Sequence, residues 1–177
     1  IFNPDIGEKM NIKMQLFLMA TNLFFTLGLP THCVFAQETP VEYWLPSGHL
    51  YPNGISHDND GSIYVGFVTD GNIYKKTKNS NKWEIFHTES EKIYASTSLR
   101  VDRTRNLLWG TSPDFLGVEQ GGKTIKRKAH LFGINIYSKE IKVIAPIPEE
   151  SFGNDLAVTK GGQIFMSDSF NPQILRF

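Results

Sequence analysis

Apolar residues recur along the chain at fixed offsets. With Leu156 as origin, the apolar pair Ile164–Phe165 lies 8 and 9 residues on, and a second pair, Ile174–Leu175, begins 18 on. From Ile55 the same offsets reach Ile63–Tyr64 and Ile73–Tyr74, and from Leu99 the first reaches Leu107–Leu108. Shared offsets of this kind are the mark of a structural repeat. Within each unit the apolar runs are short and bounded by turn formers such as Asp58-Asn-Asp-Gly61, Asp70-Gly71 and Lys78-Asn-Ser-Asn81, which predicts strands joined by tight turns. Amphipathic helix periodicity is absent after Ala36, which argues against an α/β enzyme fold. Four short antiparallel strands per unit make one blade, so the fold class expected is all-β, a β-propeller.

The pattern divides the chain into blades at about 51–88, 96–148 and 153–177, the last ending after its third strand. That makes two and a half to three blades, too few to close a ring, so residues 37–177 read as the N-terminal part of a propeller that is six-bladed when complete. Gln37–Pro46, with its apolar Tyr43-Trp-Leu45, is expected to be an extended lead-in strand. Between the second and third strands of the second unit lies an insertion, Phe115 to Lys128, rich in glycine and then basic through Lys123, Lys126, Arg127 and Lys128. It reads either as a solvated surface loop or as a lid or anion-binding lip.

Residues 1–36 carry a different pattern. Met10-Asn-Ile-Lys13 supplies a positive start, Met14–Leu29 is mostly apolar, and Val34-Phe-Ala36 places small residues before Gln37. This predicts a signal-peptide helix cleaved after Ala36, residues 1–9 being upstream, and a secreted or periplasmic mature chain. The run is interrupted by Thr21, Asn22 and Thr26, so no stable membrane span is expected in the mature chain. Cys33, the one cysteine of the 177 residues, falls within the removed segment. Eighteen basic residues balance eighteen acidic ones, which leaves no bulk electrostatic reason to expect nucleic acid as a partner.

Propeller geometry brings the start of each first strand to the loop between the second and third strands. Asn53 then meets Val68-Thr-Asp70, Thr97 meets Ser112-Pro-Asp114, and Asn154 with Asp155 meets Asp168-Ser-Phe-Asn171. Converging amide and carboxylate oxygens suit a hard cation, Ca²⁺ or another divalent ion, better than a soft metal. The candidate metal ligands are Asn53 and Asn154, and the candidate substrate or metal-shell residues are Asn154, Asp155 and Asp168. Asp58, Asp60, Asp70 and Asn79 read as turn formers that bond their own backbone. His57 and His87 read as packing or surface residues, while His49 and His130 have no partner that the sequence names. No Ser/His/Asp spacing and no phosphate-binding glycine loop emerges, so no catalytic residue is assigned.

Two stretches, Pro52-Asn-Gly-Ile-Ser-His-Asp-Asn-Asp-Gly-Ser-Ile-Tyr-Val-Gly66 and Asn154-Asp-Leu-Ala-Val-Thr-Lys-Gly-Gly-Gln-Ile-Phe-Met-Ser-Asp-Ser169, give the chain a likeness over about residues 43–177. It resembles the senescence marker protein/gluconolactonase/luciferin-regenerating enzyme family of six-bladed propellers. The motifs are shared with strictosidine synthase-like and NHL-repeat propellers. The resemblance implies one divalent cation in the channel, acting as Lewis acid on a sugar lactone or related ester while a carboxylate activates water. Where the family usually places a metal-binding Glu before Gly, this chain has Asn53 before Gly54. Asn154 matches the third-blade Asn of an Asn-Asp motif that contacts substrate or the metal shell, and Phe152 stands where an Arg is often found. The expectations are therefore a small-molecule substrate at the channel mouth of a metal-dependent hydrolase, or alternatively a non-catalytic propeller that binds a ligand or protein partner there.

Overall fold

The computed structural model describes residues 41–48 and 51–177. The expected signal peptide, its cleavage point after Ala36, Cys33 and His49 lie outside the described residues. Among those residues there are thirteen strands and no helix, hence none long and apolar enough to cross a membrane.

In the compact unit Tyr43–Phe177 the strands follow the repeat. Strands β1 (Pro52–His57), β2 (Ile63–Phe67), β3 (Ile73–Lys76) and β4 (Glu84–His87) form an antiparallel meander in the order β1-β2-β3-β4. The second sheet contains β5 (Ser98–Asp102), β6 (Leu107–Ser112), β9 (His130–Asn135) and β10 (Ile141–Pro146), in the order β10-β9-β6-β5. The third contains β11 (Gly153–Val158), β12 (Ile164–Asp168) and β13 (Ile174–Arg176). β1 lies beside β5, and β5 beside β11. The insertion forms the fourth sheet, a separate hairpin of β7 (Val118–Gln120) and β8 (Lys123–Ile125). Its positive-φ turn, Gly121 and Gly122, matches the two-residue hairpin turn that glycine permits. The lead-in differs from its expectation: residues 41–46 form no ladder. Tyr43 and Leu45 instead line an apolar cavity with Ile55, Ile63, Val65 and Trp83 of the first sheet.

The core forms in two layers because the middle sheet is covered on both sides. All six residues of β6 are buried, and strand alternation sends them to opposite partners. Leu108 joins Leu99, Phe132 and Ile134 against Tyr64, Ile73 and Phe86 of the first sheet. Leu107 and Trp109 join Leu131 and Ile147 against Leu156, Ile164 and Met166 of the third. Two aromatic rings lie over glycines paired across the ladder, Trp109 over Gly133 and Phe132 over Gly110. A Cβ on Gly133 would come within 2.9 Å of the Trp109 ring. A side chain there would push the indole out of its layer.

The repeat extends to individual hydrogen bonds. Val68 N donates to Tyr51 O at 3.1 Å, and Ser169 N to Phe152 O at 2.9 Å. At the equivalent place in the middle sheet Ala95 N donates to Ser112 Oγ at 3.1 Å. Each first strand therefore begins against the end of its second, as the offsets predict. Polar side chains then join sheet to sheet. Ser96 Oγ donates to Asn72 O and accepts from Phe67 N, while Thr97 Oγ1 and Thr111 Oγ1 both donate to Gly153 O. At the other end of the strands Asp58 pairs with Arg103. Arg105 binds Asp102 at 2.9 Å and reaches Lys160 O at 3.2 Å.

Leu108 is fully buried in the layer between the first two sheets. Leu108→Ala is expected to cost about 2–5 kcal/mol. The shift should be read as a lower urea midpoint with an unchanged slope.

Candidate functional site

The first strands of the three sheets run side by side, and a cavity of about 380 Å³ opens at their starts, lined by Asn53, Gly54, Thr97, Ser98, Arg100, Asn154 and Asp155 among others. Two of its walls are irregular. Between Pro52 and Ile55 the β1–β2 register slips, and between Gly153 and Asp155 the β11–β12 register slips likewise. These bulges fall on Asn53 and Asn154. A bulge frees a residue from the ladder and re-aims its side chain. Both asparagines are exposed, and no hydrogen bond to another described residue engages either amide.

Thr97, at the equivalent place, is used differently. It stands just before β5, whose register with β6 is unbroken, the residue is buried, and its hydroxyl lies 2.9 Å from Thr111 Oγ1 and 2.9 Å from Gly153 O. It fastens two sheets together. Asp155 reaches the cavity with an exposed side chain, where Oδ1 accepts from Leu156 N at 2.8 Å and lies 3.5 Å from Arg100 Nη2 and 3.4 Å from Ser98 Oγ. Arg100 was not singled out by the sequence. Its Nε donates to Leu156 O at 3.0 Å, which ties β5 to β11 across the cavity. A lone Arg one position after a core Leu, on a strand otherwise facing its neighbours, was the available signal.

Asp168 is buried and does not line the cavity. Its Oδ1 accepts from Phe152 N and Phe170 N, each at 2.9 Å, and its Oδ2 from Gln173 Nε2 and Asn171 Nδ2, each at 2.9 Å. Burial works to raise its pKa, but the donors from Gln173, Asn171, Phe152 and Phe170 outweigh it and hold the carboxyl far below the usual carboxylate range. The carboxylate shapes the loop that closes the third sheet. Turn duty is equally visible at Asp60, whose Oδ1 accepts from Ser62 N at 2.8 Å, and at Asp70, whose Oδ1 accepts from Asn72 N at 2.9 Å.

The hairpin insertion is pinned at its base. The Asp114 side chain is almost wholly covered, and its oxygens accept from Gly117 N at 2.9 Å and from Arg127 N, Nε and Nη2, the last at 3.0 Å. Burial pushes the Asp114 pKa up, and the Arg127 side chain and backbone N–H bring it below its ordinary value. The guanidinium of Arg127 also sits 3.8 Å from the Tyr94 ring centroid, a close cation–π geometry. Tyr94 donates its hydroxyl proton to Lys128 O, and burial together with the Asp114 charge raises its pKa to about 12. Lys126 binds the carbonyls of Asp114 and Phe115. Two of the four basic residues thus fasten the hairpin to the sheet.

The donor set at the cavity is all oxygen, which suits a hard cation in kind. In number it falls short. Two neutral amides and one carboxylate shared with Arg100 stand against the six to eight oxygens that Ca²⁺ takes, and no group of three or more His, Cys, Asp or Glu side chains placed to hold a metal occurs among the described residues. What the arrangement offers is two amides, donor and acceptor both, that are unbonded among the described residues, beside an arginine that bonds Leu156 O.

Three measurements follow. The Asp168 pKa is depressed from 3.8, so its stabilisation is fully present above that pH and is lost as pH falls through the folded-state value. Asp168→Asn should cost about 2 kcal/mol at pH 7 and flatten the acid limb of the melt below pH 4. His87 and His130 have pKa values that burial lowers from 6.5, and each has a buried ring nitrogen without a partner. Their contribution is present above pH 6.5 and is lost as pH falls through their lower folded values, so a separate decline in Tm should begin below pH 6.5 and persist in Asp168→Asn. For the clamp, Arg127→Ala should expose Lys123 and Lys126 to trypsin well before the sheets are cut, read by mass spectrometry of early fragments. Compared with known proteins, the sequence matches no family model and no curated protein.

Proposed function

We propose that the three successive sheets are blades of a β-propeller of the gluconolactonase-like kind, six-bladed when complete, and that a lactone or ester binds at the mouth formed by Asn53 and Asn154. The observation that carries this reading is the pair of bulges that free those two amides toward one cavity. Sheet order, the repeated strand-start bonds and the layered core support the architecture. In this reading Asn53 and Asn154 would give two oxygens to a divalent cation such as Ca²⁺, a shell that needs further oxygens beyond this pair, and the ion would supply Lewis acidity at the carbonyl. This chain's own residues orient the carbonyl through amide N–H groups. A secreted or periplasmic location belongs to the same proposal and rests on the sequence of residues 10–36.

A second reading, a propeller that binds a ligand or partner without chemistry, draws on one observation. The one carboxylate lining the cavity, Asp155, is shared with Arg100 and Leu156 N, so it is poorly placed to take a proton from water.

The test is a Ca²⁺ titration followed by thermal melt, run beside a pH-stat assay on glucono-δ-lactone. The hydrolase reading expects a Ca²⁺-dependent rise in Tm, lost in Asn154→Ala, together with lactone hydrolysis. A Tm indifferent to Ca²⁺ or to that substitution, with no hydrolysis, would move the assignment to the binding propeller.

A further inference from the structure

We infer that the inserted hairpin walls an apolar subsite beside the mouth, one that takes the alkyl or aryl arm of a lactone or ester in preference to a polyhydroxylated one. The inference rests on the mouth being the ligand site and adds the class of ligand to it.

A second cavity, of about 500 Å³, is lined by Tyr51, Pro52, Asn53 and Val68 from the first sheet and by Phe115 and Leu116 from the root of the insertion. That volume lies within the range of small-molecule pockets. No charged side chain lines it, and its polar side chains are Tyr51, Asn53 and Thr69, so an ionic arm would lose its water without a charged partner, and an arm with a hydroxyl on every carbon would bury more polar groups than those three can serve. Asn53 borders this cavity and the polar one alike. One ligand can therefore hold its carbonyl at the Asn53 and Asn154 amides while its arm extends toward the hairpin.

Three features mark the wall as built for a purpose. Phe115 and Leu116 directly follow Asp114, so the buried clamp with Arg127 fixes where they stand. Both are more than half exposed, and apolar side chains held in water at a cavity lip gain by covering them. Tyr51 is held at φ 60°, a left-handed conformation that is strained for an aromatic residue. Such strain, paid at a pocket wall, is a recurrent mark of a functional position. Beyond Phe115 the apolar surface continues along the rim, since Phe152 lies 6.1 Å from the Phe115 ring and 5.2 Å from that of Phe170.

The test is the binding of γ-lactones from γ-butyrolactone to γ-undecalactone, with glucono-δ-lactone alongside, measured by calorimetry on the full chain. Each methylene that enters the cavity should tighten binding about fourfold, until the arm fills it. Leu116→Asp should weaken γ-undecalactone about tenfold or more and abolish the gain with length. Its fold is checked by thermal melt, and Leu116→Ala provides a milder variant with a smaller loss. Affinity that stays flat along the series, or that rises equally in wild type and Leu116 variants, overturns the subsite. Affinity that rises with length without hydrolysis keeps the subsite and overturns the hydrolase reading. Hydrolysis of γ-butyrolactone and glucono-δ-lactone with no dependence on arm length does the reverse.

Discussion

Everything in this molecule depends on the covering of sheet faces. A strand with apolar residues on both sides needs a layer on each, and β6 meets that need by splitting its side chains, Leu108 one way and Leu107 with Trp109 the other. The layers are then held in register by polar bonds at both ends. Hydroxyls of Ser96, Thr97 and Thr111 join the sheets where the first strands start, and arginines join them where those strands end. Burial supplies the driving force without direction. Hydrogen bonds at the ends supply the direction.

The same constraint explains the position of the candidate site. First strands packed side by side leave their starting residues along one line, and a regular ladder would have committed those residues to pairing. Bulges at Asn53 and Asn154 release two of the three positions. At the third, Thr97 stands just ahead of a regular strand and turns its hydroxyl inward to Gly153. The mouth is thus asymmetric, with two exposed amides on either side of a buried threonine and an arginine that ties β5 to β11.

Most of the sheet order was legible in the spacing of apolar pairs, because strand alternation and glycine- or aspartate-rich turns are local signals. The lead-in forms no ladder, and Tyr43 and Leu45 line a cavity beside the first sheet instead, a tertiary use that sequence pattern does not distinguish from pairing. The hairpin inside the insertion escaped notice because Val118 and Ile125 alone mark it as strand. At the site, oxygen-bearing residue types were readable, but their employment was not. Asp168 looks like a ligand in sequence, and three donors from its own loop with a fourth from Phe152 show what it holds. Arg100 and the Asp114–Arg127 pair depend on contacts across 55 and 13 residues, which no local pattern encodes.

The Asp114–Arg127 clamp has a consequence for how this surface can change over generations. It closes the insertion at its root, so the entropy of the loop is settled there and not at the tip. Residues from Val118 to Ile125 touch little beyond their own hairpin. They are free to lengthen, shorten or be replaced while the sheets beneath keep their packing. The clamp makes the hairpin an exchangeable cassette, and selection can revise what the molecule meets at its rim without reopening the question of how it folds.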